Sequence, residues 1–147
     1  MGLDMFLNAK RFMWYNEDEL KESVGKAFPD LPEGVKPREV EFEVGYWRKA
    51  NAIHKWFVDN VQEGNDDCGD YWVSDEKVDE LLDICKKVLD NRELAEKLLP
   101  TQSGFFFGGT AYDEYYYEDI ENTIKILERA KALRGTHSYE LEYHSSW

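Results

Sequence analysis

The chain has 147 residues, the length of a single domain, and carries 31 acidic against 18 basic side chains, a formal net charge of −13. This charge repels phosphate backbones, which excludes ordinary binding to duplex DNA or RNA. The apolar fraction of 42% and the aromatic fraction of 15% are too high for a disordered acidic tail. We therefore expect residues 1–147 to fold as a single domain.

Apolar residues alternate with polar ones over residues 2–15, which predicts an opening strand. Asn16 stands where an N-cap belongs and acidic residues follow it, so we expect a helix over 17–28. Prolines and a glycine predict a loop over 29–37. The alternation over 40–44 then predicts a second strand, with its glutamates facing water and its apolar residues facing the core.

The rest of the chain reads mainly as helices, with two short strands. The predicted elements are a helix from Trp47 to Val61, a polar loop over 64–69, a strand over 71–73, a helix capped by Ser74 with an apolar stripe to Leu89, a helix over 92–99, a helix over 114–133 stopped by Gly135, and a strand over 139–143. This order predicts an α+β fold, in which helices pack on one face of a small, mainly antiparallel sheet.

No apolar run approaches the roughly 20 residues that span a bilayer, and the N-terminus lacks the pattern of a signal peptide. We therefore expect a cytoplasmic protein that does not associate with membranes. Neither the two cysteines nor the three histidines show the spacing of metal ligands. The sequence thus predicts no metal and no cofactor.

Two stretches of this acidic chain contain no Asp or Glu. The first acid-free window, residues 44–58, has the sequence VGYWRKANAIHKWFV, and the second, residues 98–112, has the sequence LLPTQSGFFFGGTAY. Both are rich in aromatic rings; the first adds cations and the second adds glycines and hydroxyl groups. Such a set suits a pocket for a nucleotide-like anion, and it also suits a buried core beside a turn.

The first window contributes candidate ligands for phosphate and base. On a helix that starts near Trp47, residues 48, 51 and 55 share one face. Arginine and lysine bind phosphate oxygens, asparagine matches a base or ribose edge, and a ring can stack on the base. The candidates are Tyr46, Trp47, Arg48, Lys49, Asn51, His54 and Lys55.

Two alternatives compete with this interpretation of the first window. The basic face could be solvated and paired with Glu39, Glu41 or Glu43, an arrangement that contributes little to stability. His54 lies on the apolar stripe, a position more typical of a hydrogen-bonded core histidine than of a catalyst.

The second window is centred on three phenylalanines between glycines, followed by a region rich in tyrosine. Its GGT segment could present backbone N–H groups to an anion, although it matches no established phosphate-binding motif. The tyrosines and the adjacent carboxylate could bind an amino group or ribose hydroxyls, or could simply pack at the rim of the core. The candidates are Phe105, Phe106, Phe107, Thr110, Tyr112 and Asp113.

The sequence supports catalysis less well than it supports binding. Adjacent acids such as Asp113 with Glu114, or Asp66 with Asp67, are expected by chance in so acidic a chain. Ser103 is not in the sequence context of a nucleophile. We therefore predict no catalytic residues.

Four segments, GLDMFL, EVGYWRKANAIHKWFV, LLPTQSGFFFGGTAYDEYYYEDIENTI and LEYHSSW, resemble small proteins encoded by phages and prophages. The resemblance implies a role in the bacterial host cytosol during infection. Small phage proteins without enzymatic motifs often act on host defence, and one class of them sequesters its nucleotide signals.

The sequence hypothesis is therefore a phage anti-defence protein, a homo-oligomer that sequesters a signal of the cyclic ADP-ribose or cyclic dinucleotide type without turnover. One alternative is an acidic inhibitor or DNA mimic that acts on a host protein. A further alternative is a nucleotide or phosphodiester hydrolase using Asp113, Glu114 and His54. The sequence leaves open whether the two windows meet in one pocket.

Overall fold

A computed structural model describes residues 2–134 and 139–147, so the predicted helix stop at Gly135 lies outside the described residues. In chain order, the elements are β1 (Asp4–Phe12), α1 (Asp18–Lys26), β2 (Glu39–Arg48), α2 (Asn51–Asn60), β3 (Asp70–Val73), α3 (Asp75–Asp90), a 3-10 helix (Arg92–Leu94), α4 (Ala95–Leu98), α5 (Glu114–Ala132) and β4 (Tyr139–Ser146).

The four strands form one sheet in the order β2-β1-β4-β3, and every neighbouring pair is antiparallel. Helices cover one face of this sheet, so the predicted α+β class is confirmed. Along β1, Met5, Leu7 and Ala9 are fully buried, whereas the residues between them are only partly buried. Among the described residues, no helix is long and apolar enough to cross a membrane.

The core beneath the sheet is rich in aromatic rings. Phe57 of α2 stacks on Tyr143 of β4, with ring centroids 4.0 Å apart and planes within 7°. Trp47 of β2 is buried, and its indole Nε1 donates a hydrogen bond of 2.8 Å to the hydroxyl of Thr123 on α5. These contacts fix α2 and α5 against the sheet at the end of β2 where the first window lies.

The predicted helix from Trp47 is wrong at its start. Strand β2 continues through Arg48, which pairs with Asp4 of β1, and α2 begins only at Asn51. The helical spacing of apolar residues is genuine from Asn51 onward, but pairing with β1 decides the conformation before that point. Residues 48 and 51 therefore do not share a helix face.

The turn between β2 and α2 occurs at Lys49, which has a positive φ of 56°. Its backbone N–H donates to the carbonyl of Leu3 at 2.7 Å, which ties the turn to the start of the chain. The chain thereby changes direction within two residues, and the side chains of Arg48 and Lys49 stay exposed.

Candidate functional site

The two acid-free windows meet at a cavity of about 320 Å³. The cavity lies between the turn into α2, the loop that precedes α5, and the first turns of α5. Its lining comprises residues 48–53 of the first window, residues 101, 108, 109 and 111 of the second window, and Asp113, Tyr115, Tyr116, Asp119 and Ile120 at the start of α5.

Asn51 joins the two windows. Its side-chain Nδ2 donates to the carbonyls of Phe107 at 3.0 Å and Gly109 at 2.8 Å, and its Oδ1 accepts from the backbone N–H of Gln102 at 2.9 Å. Both N–H groups of the amide are thus used, and the residue is only 4% exposed. Asn51, which the sequence suggested as a ligand for a base, instead anchors the cavity wall.

A glycine allows the second window to approach the first. Gly108 has a φ of 85°, and a Cβ added there would lie 3.1 Å from the Cβ of Lys49. The neighbouring carbonyl of Phe106 accepts a hydrogen bond of 3.0 Å from the N–H of Leu3. The loop is therefore held against both the turn into α2 and the start of the chain.

One wall of the cavity is cationic. The Nη1 atom of Arg48 lies 3.2 Å from Oδ1 of Asp4, and the Tyr46 hydroxyl donates to the same oxygen. The Arg48 side chain is 55% exposed. The Lys49 ammonium forms no ion pair with any residue in the described ranges. Arg48 therefore pairs with an acid, as the alternative interpretation predicts. Its partner is Asp4 of β1, whereas that interpretation named Glu39, Glu41 or Glu43 of β2.

The first turns of α5 add to the cavity lining a carboxyl group that the sequence interpretation missed. Burial, and after it the charges of Glu118 and Asp113, raises the pKa of Asp119 to about 7. Its side chain has no hydrogen bond or ion pair with a described residue. Asp119 lies three residues after buried Tyr116 on the same side of α5, and an acid at the border of an apolar stripe is the signal that could have revealed it.

The other groups on α5 are largely occupied or exposed. Asp113 caps the helix, because its Oδ1 accepts from the backbone N–H of Tyr116 at 3.1 Å. The hydroxyl of buried Tyr116 donates to the carbonyl of Leu99 at 2.8 Å. Tyr115 is 77% exposed at the rim, so its ring is free to cover a ligand.

Four of the thirteen predicted site residues line the cavity, namely Arg48, Lys49, Asn51 and Asp113. Lys55 pairs instead with Asp59 at 2.6 Å, one helical turn further along α2. Trp47 and Phe107 are buried in the core, and Phe105 is 99% exposed. Those that lie outside the cavity lining are Tyr46, Trp47, His54, Lys55, Phe105, Phe106, Phe107, Thr110 and Tyr112.

Two of these residues support the cavity indirectly. The hydroxyl of Thr101 donates to the carbonyl of Thr110 at 2.9 Å, and the backbone N–H of Thr101 donates to the Tyr112 hydroxyl at 3.2 Å. Thr110 and Tyr112 therefore position Thr101, which does line the cavity.

His54 is a fully buried core histidine. Its Nδ1 lies 2.6 Å from the Tyr143 hydroxyl, and its Nε2 lies 2.9 Å from Oδ1 of Asp66. Burial lowers the pKa of the imidazole, and the Asp66 carboxylate opposes that shift only in part. A neutral ring that accepts from Tyr143 and donates to Asp66 satisfies both nitrogens.

The residues of the hydrolase alternative are bound to other partners or lie outside the cavity lining. His54 lies outside the cavity lining, Glu114 forms an ion pair with Arg92 at 3.1 Å, and the carboxylate of Asp113 is used as a helix cap. Within the described part of the chain, no group of three or more His, Cys, Asp or Glu side chains is arranged to hold a metal ion.

No protein-family model, curated protein or solved structure matches this chain. A function for the protein must therefore be inferred from the geometry and charge of the cavity.

Proposed function

We propose that the protein binds a nucleotide-derived anion in the cavity between the two windows and sequesters it without turnover. The observation that carries the proposal is that the same cavity is lined by the cations Arg48 and Lys49, from the turn into α2, and by the carboxyl group of Asp119, from α5. Arg48 and Lys49 can bind phosphate oxygens. Asp119 can bind an amino or hydroxyl group, and the exposed ring of Tyr115 can stack on a base.

The size of the cavity favours a small ligand. Its volume of about 320 Å³ lies near the lower end of the roughly 300 to 1,000 Å³ typical of ligand sites. A compact molecule of the cyclic ADP-ribose type fits this volume better than a cyclic dinucleotide, which would need a second copy of the chain. Phe105, which is 99% exposed, is a candidate contact between copies in a homo-oligomer.

Sequestration is favoured over turnover by the state of the groups near the cavity. The Thr101 hydroxyl donates to a backbone carbonyl, as does the hydroxyl of Tyr116. The neutral imidazole of His54 is enclosed between Tyr143 and Asp66. Among the described cavity residues, none combines a nucleophile with a base within hydrogen-bonding distance.

The setting that we propose is the bacterial cytosol during phage infection, in agreement with the resemblance to phage and prophage proteins. There a protein of this kind would remove a nucleotide immune signal and so protect the phage. Binding without turnover is sufficient for that role, provided that the protein outnumbers the signal.

The proposal is tested by incubating the purified protein with a panel of nucleotide signals, then heating it and identifying what is released. We expect recovery of an intact ligand. Replacing Arg48 with alanine should weaken binding about tenfold or more, because a charge-assisted hydrogen bond contributes about 1.5 to 3 kcal/mol and each 1.4 kcal/mol is tenfold.

The matched control is Arg38→Ala, since Arg38 is also an exposed arginine and lies over the Phe12 ring outside the cavity. It should leave binding unchanged. The proposal fails if no member of the panel binds, or if Arg48→Ala binds as tightly as the wild type. Recovery of a degraded ligand would instead show an enzyme.

A second candidate function rests on the face of the sheet that none of the described helices covers. Glu39, Glu41 and Glu43 of β2 pair with Phe12, Lys10 and Asn8 of β1, and all three glutamates are exposed. A row of carboxylates on an open sheet suits an acidic inhibitor that covers a basic surface of a host protein.

The two functions are separated by variants in a phage infection assay. If the acidic face is the active surface, replacing Glu39, Glu41 and Glu43 with glutamine should abolish protection of the phage, and Arg48→Ala should not. The opposite pattern would support the cavity.

A further inference from the structure

We propose that Asp119 reads the hydrogen-bonding edge of a purine base, and that its protonation state sets the preference for guanine over adenine. This inference rests on the proposed function, because it names the part of the nucleotide that the acidic wall of the cavity would bind. It adds a ligand class and a form of regulation to that site.

The geometry supports an available carboxyl group. Asp119 lies on α5 and lines the cavity, whereas Asp113 on the same helix is already used as its cap. The carboxyl of Asp119 has no hydrogen bond or ion pair with a described residue. The exposed ring of Tyr115 also lines the cavity, which offers a base an apolar surface on the same helix as the carboxyl.

The protonation state decides which base the carboxyl matches. An ionised carboxylate only accepts hydrogen bonds, and guanine presents two adjacent donors, its N1–H and its amino group. A protonated carboxyl donates one hydrogen bond and accepts another. That pair matches adenine, whose N1 accepts and whose amino group donates, and it also matches the O6 and N1–H of guanine. Only the ionised form therefore favours guanine over adenine.

The surroundings of Asp119 place this switch near neutral pH. Burial raises its pKa to about 7, and the charges of Glu118 and Asp113 add to the shift. Arg48 and Lys49 face the cavity from the turn into α2. The remaining groups that face it are the phenols of Tyr115 and Tyr116 on α5 and the neutral hydroxyl of Thr101.

The test uses cyclic AMP and cyclic GMP as probes, because their phosphodiester keeps one negative charge throughout the neutral range. Affinities are measured by calorimetry at about pH 6 and about pH 8, one unit on either side of the switch. Between these two pH values the protonated fraction of Asp119 falls about tenfold and its ionised fraction rises about tenfold. The ratio of cyclic GMP to cyclic AMP affinity should therefore rise at least tenfold at the higher pH.

The decisive variant is Asp119→Asn, whose amide offers one donor and one acceptor at every pH. It should lose the pH dependence of the ratio, and with it the preference for cyclic GMP that the ionised carboxylate gives at about pH 8. The matched control is Glu121→Gln, which removes an exposed carboxylate of the same helix outside the cavity lining and should keep the dependence. Thermal unfolding of each variant establishes that it is folded.

The experiment distinguishes failure of base reading by Asp119 from failure of the proposed function. If both probes bind, Arg48→Ala weakens them, and the wild-type ratio is the same at both pH values, base reading by Asp119 is wrong and the proposed function stands. The same conclusion follows if Asp119→Asn retains the pH dependence. If no nucleotide of either the panel or this pair binds, both proposals fail.

Discussion

The side-chain amide of Asn51 holds the loop of the second window in place against α2. Asn51 is the first residue of α2, and its side chain bonds three backbone groups of the loop that carries Phe107 and Gly109. No other side chain among the described residues bonds this loop to α2. Its loss should therefore affect both the stability of the protein and the shape of the cavity.

Replacing Asn51 with alanine should lower the free energy of unfolding by about 2 to 4 kcal/mol, because the buried carbonyl of Phe107 and two partly buried backbone groups, at Gln102 and Gly109, lose this partner. Chemical denaturation monitored by circular dichroism measures this change. Asn60→Ala is the matched control: Asn60, the last residue of α2, donates a side-chain hydrogen bond of 2.9 Å to the carbonyl of Trp56. It should cost about 1 kcal/mol or less. Equal losses in the two variants would contradict the anchoring role.

For single residues, the sequence indicates which side chains could bind a ligand, but it does not show which of them are free to do so in the folded protein. The absence of acids points to Arg48 and Lys49, and both line the cavity. The same reasoning offers Asn51 and His54 as ligands, although both are buried with their polar atoms bonded to protein groups. Asp119 could not be identified from the sequence alone, because its burial depends on how α5 packs in the folded protein.

At the level of elements, α5 lies against β2 so closely that one position of the strand has no room for a side chain. A Cβ added at Gly45 would lie 2.6 Å from Cδ1 of Ile126, and closer still to two other carbons of that residue. Gly45 also adjoins the irregularity in pairing between Leu7 and Asn8 of β1. The glycine therefore sets the distance between the helix and the sheet.

Gly45→Ala should destabilise the protein by about 1 to 3 kcal/mol, the usual cost of overpacking a core. Adding Ile126→Ala in the same chain should cost less than the sum of the two single changes, because the shorter side chain makes room for the new methyl group. Gly109→Ala is the control, since a Cβ at that position meets nothing within 4 Å. Additive losses in the double variant would show that the contact with Ile126 is not the cause.

The types of most elements follow from local patterns, but one boundary near the site does not. The apolar stripe of α3 and its Ser74 cap are predictable from the sequence, and the Ser74 hydroxyl does accept from the N–H of Lys77 at 3.2 Å. The start of α2 is not, because Arg48 is held by pairing with Asp4, far away in sequence. Nonlocal pairing of this kind leaves no periodic signal in the window itself.

At the scale of the whole molecule, the segment of residues 14–37, which follows the buried Met13 and precedes β2, stands apart from the core. Its helix α1 buries no residue, and Phe28 after it is 55% exposed. The two ends of the segment lie side by side, because the N–H of Met13 donates to the carbonyl of Arg38 at 2.9 Å. The segment joins β2 at Glu39, whereas the cavity lies at the opposite end of this strand, roughly 30 Å away at 3.3 Å per residue.

We therefore expect that residues 14–37 can be replaced by the dipeptide Asn-Gly, which favours a tight hairpin between antiparallel strands. The shortened protein should keep its cooperative thermal transition, at an equal or higher midpoint, because closing a shorter loop costs less entropy, about 0.6 kcal/mol for each halving of its length. It should also bind the ligand of the full chain with unchanged affinity, since the cavity keeps every group that lines it. Circular dichroism melting and calorimetry measure the two properties separately. A shortened chain that loses cooperative unfolding would show that the segment stabilises the sheet, and a folded one that loses binding would show that the segment contributes to the site.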